Sequence, residues 1–158
     1  MLVLLLRHAT AEPHGGQPDA ARALVEKGWK QAHKAGTFCR EHGLVPDLVL
    51  SSPLVRARQT AEEFVRACAG GVPEPVVVPW LGLGRASTML GELAAFRQFA
   101  TVCLVGHEPD FSMLAAEMLG CPGDGIRVRK ASLIGIECPS LRPGAGQLQF
   151  SIPNAFLA

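Results

Sequence analysis

The chain has 158 residues, the size of one ordinary domain, and it reads as a single domain over 1–158. Apolar residues make up 48% and charged residues 18%, a supply of core-forming side chains that excludes a disordered or fibrous chain. The formal net charge is +1, with no Lys/Arg run and no aromatic-basic stripe, which argues against nucleic acid or an anionic membrane as partner and leaves a local anion site open.

The five cysteines, Cys39, Cys68, Cys103, Cys121 and Cys138, are odd in number, dispersed and without CxxC pairing. They read as reduced thiols that mostly fill the core, with neither a disulfide framework nor a zinc site indicated. The first apolar run, residues 2–6, is too short for a signal-peptide core and is cut by Arg7-His8. No stretch approaches the roughly 18 apolar residues of a membrane span, so a cytoplasmic location is expected.

Residues 2–6, Leu-Val-Leu-Leu-Leu, form the continuous apolar run of a strand covered on both faces, expected at the centre of a sheet. Pro13, Gly15, Gly16 and Pro18 break any period, so a loop follows over 9–17. Ala23, Leu24, Ala32, Ala35 and Phe38 recur near helical spacing over 19–42, with Gly43 as a stop and Gly28 as a point that divides a turn from the helix. A second apolar strand over 47–50 runs into Ser51-Ser52-Pro53, where Ser52 suits a helix cap and Pro53 the first position of a helix over 53–69.

Gly70-Gly71 ends that helix, 76–78 is strand-like, and a helix over 88–99 leads to the strand 102–105. Gly106-His107-Glu108-Pro109 turns into a helix over 110–119. Strands over 133–136 and 148–152, joined by a Pro/Gly-rich link, close the chain as a hairpin. This βαβα order predicts a three-layer α/β/α fold with a mostly parallel central sheet and an antiparallel edge.

In open α/β sheets ligands gather beyond the carboxyl ends of the strands. Three such ends carry Arg7-His8, residues 52–56 with Arg56, and Gly106-His107. Arginine offers a rigid fork of donors matched to phosphate oxygens, and a helix starting near Pro53 adds free N–H groups. An imidazole with an ordinary pKa near 6.5 is largely neutral at physiological pH and attacks phosphorus without a separate base, which makes His8 the candidate nucleophile.

These residues also carry a resemblance. Leu6-Arg7-His8-Ala9 is similar to the Arg-His-Gly signature of the histidine phosphatase (phosphoglycerate mutase-like) superfamily. Residues 52–61, Ser-Pro-Leu-Val-Arg-Ala-Arg-Gln-Thr-Ala, resemble its second block, and Val105-Gly106-His107 resembles its third. The short chain and the phrase Val105-Gly106-His107-Glu108-Pro109-Asp110 look most like the SixA-like branch of phosphohistidine phosphatases, over nearly the whole length. The resemblance implies a phosphoglycerate mutase-like fold and a covalent phosphohistidine on His8. It further implies phosphoryl binding by Arg7 and Arg56, transition-state stabilisation by His107, and no metal or other cofactor.

Two departures matter. Ala9 replaces the signature glycine, which counts only if the backbone needs positive φ there. Leu81-Gly82-Leu83-Gly84 stands where mutase-like members carry an acidic stretch that protonates the leaving group. A phosphorylated imidazole leaves with a pKa near 6.5 and needs that acid far less than an alkoxide does, so the missing carboxylate favours phosphoramidate substrates. Glu12, Glu108 and Asp110 are the carboxylates near the two histidines in sequence that remain as donors.

The expected partner is accordingly a phosphoryl group, carried on a histidine of a phosphocarrier or phosphorelay protein. Mostly short connections predict an open pocket without a lid. The alternatives are a phosphatase or mutase of small phosphate esters, and a phosphate-binding interaction module without turnover. Arg58, two residues beyond Arg56, falls on another helix face; His33 and His42 read as surface histidines, His14 alone sits where it would line the pocket, and Cys121 and Ser132 have ordinary structural readings.

Overall fold

The computed structural model describes residues 1–157, the side chain of Leu83 excepted. Six strands form one sheet: β1 (Leu2–Arg7), β2 (Leu48–Ser51), β3 (Val76–Val77), β4 (Thr101–Gly106), β5 (Leu133–Glu137) and β6 (Gln147–Ile152). Their order is β3-β2-β4-β1-β5-β6. The first four in that order run parallel, β5 is antiparallel to β1, and β6 is antiparallel to β5. The mixed α/β fold and the antiparallel closing hairpin are those expected from the sequence.

Five helices accompany the sheet: α1 (Glu26–Glu41), α2 (Val55–Cys68), α3 (Trp80–Leu83), α4 (Ala86–Glu92) and α5 (Asp110–Leu119). Alternation along the buried strands sends side chains to opposite layers. Val3, Leu5, Leu50 and Leu104 join Met89, Leu93, Phe111 and Leu114 on the α4/α5 side. Leu4, Leu6, Val49 and Val105 join Ala35, Phe38, Ala61 and Phe64 on the α1/α2 side. A strand buried on both faces has no polar face to show, which is why these segments read as unbroken apolar runs.

The helices depart from the sequence reading in three places. Gly28 does not divide turn from helix: it lies inside α1, and the break comes earlier, between a 3-10 turn at Asp19–Ala21 and Glu26. A Cβ at Gly28 would run into the carbonyl of Thr10, so the glycine serves close packing of α1 on the loop after β1. The expected cap at Ser52 is absent, since α2 starts at Val55 with no side-chain cap. The single helix expected over 88–99 is instead the end of α4 and a 3-10 turn at Leu93–Phe96, with the short α3 before them.

Register aligns the strand ends that matter. Arg7 pairs with Gly106, and Ser51 with Val105. The ladder continues one residue further, with the His8 N–H donating to the Gly106 carbonyl at 2.9 Å and the Ser52 N–H to the Val105 carbonyl at 3.0 Å. His8 and His107 therefore leave the sheet at one level, with Ser52 one residue below them. Among the described residues no helix is long and apolar enough to cross a membrane.

Candidate active site

The four residues singled out in the sequence converge at these strand ends. His8, Arg56 and His107 are recessed, at 6%, 6% and 7% exposure. The two imidazole rings lie 5.2 Å apart, centre to centre, tilted by 52°. His8 Nδ1 is 2.8 Å from the Ala9 carbonyl, an acceptor, so that nitrogen carries the proton and Nε2 keeps its lone pair. Arg56 Nε approaches that lone pair at 3.3 Å.

The backbone beside His8 is pinned from α2. The Ala9 N–H donates to Thr60 Oγ1 at 3.0 Å, and the Thr60 hydroxyl donates to the Arg56 carbonyl at 2.7 Å. Arg56 sits in the first turn of α2 and points back over the strand ends. Its Nη1 donates to the Asp19 carbonyl at 2.8 Å and its Nη2 to Asp19 Oδ2 at 3.1 Å. Arg22 holds the other oxygen of Asp19 through Nε and Nη2, and donates through Nη1 to the Glu12 carbonyl. The chain after β1 thus returns to α2, with Asp19 as its contact to Arg56.

Arg7 Nη1 donates to the Val128 carbonyl at 2.9 Å, while its Nε is buried without a partner. Ser52, expected as a helix cap, faces His107 instead, with Oγ 2.7 Å from Nε2. Since Ser52 Oγ also accepts the Leu54 N–H, its proton is available to His107 Nε2. His107 Nδ1 is buried without a partner. Ser52, Asp19, Arg22 and Thr60 were not singled out as site residues; the Asp19-x-x-Arg22 spacing is a signal only once the loop is known to return to Arg56.

Electrostatics keep both imidazoles neutral. Burial, with the nearby His107, Arg56 and Arg7 adding to it and the Ala9 carbonyl opposing, pushes His8 down to about 3. Burial and then Arg56 push His107 down to about 4, against an opposing pull from Asp19. Burial also lowers Arg7, with Glu108 opposing. Against some desolvation, the bonds and charges of Arg22 and Arg56 hold the Asp19 carboxyl below its usual range. The result is a neutral ring nitrogen in contact with the Arg56 guanidinium and within the electrostatic reach of Arg7, an arrangement suited to a tetrahedral oxyanion.

The remaining candidates fall elsewhere. Glu12 accepts from Gln17 Nε2 and the Ala23 N–H, and Glu108 accepts the Ser112 N–H of α5 at 2.8 Å. Burial raises the carboxyl of Asp110, at the start of α5. Arg58 is exposed, and His14 is exposed at the mouth, 3.5 Å from Asp19 Oδ1. His33 has a partner that sequence did not suggest, the buried Glu63 at 2.7 Å, and His42 stacks on Phe38. Four cysteines are buried and Cys121 is exposed. Among the described residues no three His, Cys, Asp or Glu side chains are grouped to hold a metal ion.

Comparison with known proteins fits this geometry. Residues 3–77 match the histidine phosphatase superfamily (branch 1). An uncharacterised protein of Picosynechococcus is 32% identical over 161 residues, spanning 98% of this chain and 92% of that protein. The phosphohistidine phosphatase SixA of Escherichia coli is 30% identical over 128 residues, spanning 78% of this chain and 76% of SixA. The structure of the protein histidine phosphatase SixA complexed with tungstate superposes over 100% of both chains with a TM-score of 0.87 at 24% identity. A SixA candidate from Agrobacterium tumefaciens superposes over 96% of this chain and 97% of its own with a TM-score of 0.82 at 28% identity. Matching motifs, sequence identity across most of both chains and a common fold agree: this chain belongs to the histidine phosphatase superfamily.

Proposed function

We propose that the protein is a phosphohistidine phosphatase in which His8 forms a covalent intermediate. The observation that carries this reading is the state of His8: Nδ1 is tied to the Ala9 carbonyl, Nε2 is unprotonated, and the ring stays neutral with a pKa of about 3. Nε2 attacks phosphorus in line, forming the N–P bond as the bond to the leaving imidazole breaks. Arg7 and Arg56 take the charge of the phosphoryl oxygens, and phosphoryl oxygens replace the long contact between Arg56 and His8. His107, with Nε2 held by Ser52, has its Nδ1–H left to donate to a phosphoryl oxygen. Water then attacks the phosphohistidine, releasing phosphate and returning neutral His8.

The leaving group explains why no acidic stretch is needed at 81–84. A phosphoimidazole whose other ring nitrogen is protonated leaves as neutral imidazole. With an ordinary imidazole pKa near 6.5, that nitrogen takes its proton from water near neutral pH, so no acid has to be held at 81–84. One observation favours the second reading, hydrolysis of small phosphate esters: Asp110 holds its proton above the usual carboxylate range and starts the helix that follows His107. The deciding experiment is phosphate release, in the presence of chelator, by wild type and His8→Ala from a phosphohistidine protein and from a panel of phosphate esters. Turnover of phosphohistidine alone, lost in the variant, is expected. Efficient ester hydrolysis that falls in Asp110→Asn transfers the assignment to the second reading.

A further inference from the structure

Beside the site runs a groove lined by Thr10, Lys27, Gln31, Arg129, Lys130 and Phe156, together with the buried Asn154. Three of the lining side chains are cations and none of those described is a carboxylate. Among the described residues Lys27, Arg129 and Lys130 form no ion pair, whereas the neighbouring Lys30 is held by Glu26. On a chain with net charge +1, this is a local concentration of charge. Phe156, at 77% exposure, is the most exposed large apolar side chain described and sits at the same groove.

The groove floor is wired to the catalytic strand end. Gln31 Oε1 accepts both the N–H and the hydroxyl of Thr10, at 3.0 and 2.8 Å. Asn154 Nδ2 donates to the carbonyls of Gln31 and Ala131, at 3.0 and 3.2 Å. The Ala131 N–H in turn donates to the carbonyls of Arg7 and His8, at 3.0 and 3.3 Å. Whatever seats in the groove is therefore held at a fixed position relative to His8.

We propose that this groove docks an acidic face of the protein that carries the phosphohistidine, with Phe156 against an apolar side chain and Lys27, Arg129 and Lys130 against carboxylates. The proposal rests on the phosphohistidine reading above. A free phosphoramidate occupies only the pocket around His8 and has no charge to offer cations beyond it. A second copy joined about a two-fold axis here would set these cations against themselves. Nucleic acid or an anionic membrane calls for a broader basic field than three side chains on a nearly neutral chain.

The test compares Lys27→Glu/Arg129→Glu/Lys130→Glu with wild type on an acidic phosphotransfer domain phosphorylated on histidine, and on phosphoimidazole. Arg97→Glu/Arg142→Glu, at the opposite end of the strands beside Met1, is the control. The triple variant is expected to raise KM for the domain on the order of tenfold at low salt with kcat and phosphoimidazole turnover unchanged, since rim charges act mainly on encounter. An unchanged KM, or equal losses on both substrates, overturns the proposal. Titration calorimetry of the unphosphorylated domain against each protein separates the groove from the chemistry: if no phosphohistidine is turned over, the functional reading fails, while binding lost in the triple variant still supports the groove. No binding by wild type, or binding that survives the triple reversal, overturns it.

Discussion

Asp19→Asn should tighten the binding of oxyanions. The Asp19 carboxylate accepts from Arg56 Nη2 at 3.1 Å and from Arg22 Nη2 at 2.8 Å, so it competes for a donor that a phosphoryl oxygen needs. A hydrogen bond to a charged partner contributes about 1.5–3 kcal/mol when sheltered. Asp19 is half exposed, at 50%, so solvent screening reduces this to about 1 kcal/mol. At 1.4 kcal/mol per tenfold, that is roughly a fivefold lower dissociation constant for inorganic phosphate or tungstate. Asparagine keeps the shape and one oxygen for Arg22 while removing the charge. Calorimetric titration of wild type and variant at low and high ionic strength reads the effect directly, and the gain should shrink with salt. Weaker or unchanged anion binding would refute the reasoning, and would mean that Asp19 chiefly holds Arg56 within reach of His8.

Two further outcomes follow from burial. His8 and His107 have folded-state values of about 3 and about 4 against an ordinary 6.5. The unfolded chain thus takes up protons first, so their contribution is complete above about pH 6.5 and is lost as pH falls through about 4 for His107 and about 3 for His8. The slope is on the order of 1–3 kcal/mol per pH unit, and urea unfolding of wild type against His8→Ala/His107→Ala checks it: the double variant should show the flatter pH profile. Gly36→Ala should destabilise by about 1–3 kcal/mol in the same assay. The added methyl meets the Phe64 carbonyl and Ala67 Cβ where α1 crosses α2, which outweighs the roughly 1 kcal/mol that alanine ordinarily gains over glycine in a helix.

Much of this protein was legible in its sequence, and the parts that were have a local cause. The runs at 2–6 and 102–105 mark buried strands because both faces are covered, and Arg7-His8 and Gly106-His107 mark strand ends because charge cannot continue into that core. Parallel strands with helical crossovers bring such ends to one edge, so the convergence of His8, Arg56 and His107 was already implied. What the tertiary structure alone decided is the second layer of contacts. Ser52 has good capping chemistry, yet it turns to His107, a partner 55 positions away. Gly28 looked like a breaker because local pattern cannot show the Thr10 carbonyl that excludes a side chain there. Asp19, which opens the stretch of helical spacing in the sequence and lies in a 3-10 turn, meets Arg56 only when the chain after β1 returns to α2. Periodicity reports which face of an element is buried; it carries no record of which distant group will stand opposite, because that depends on how the elements pack.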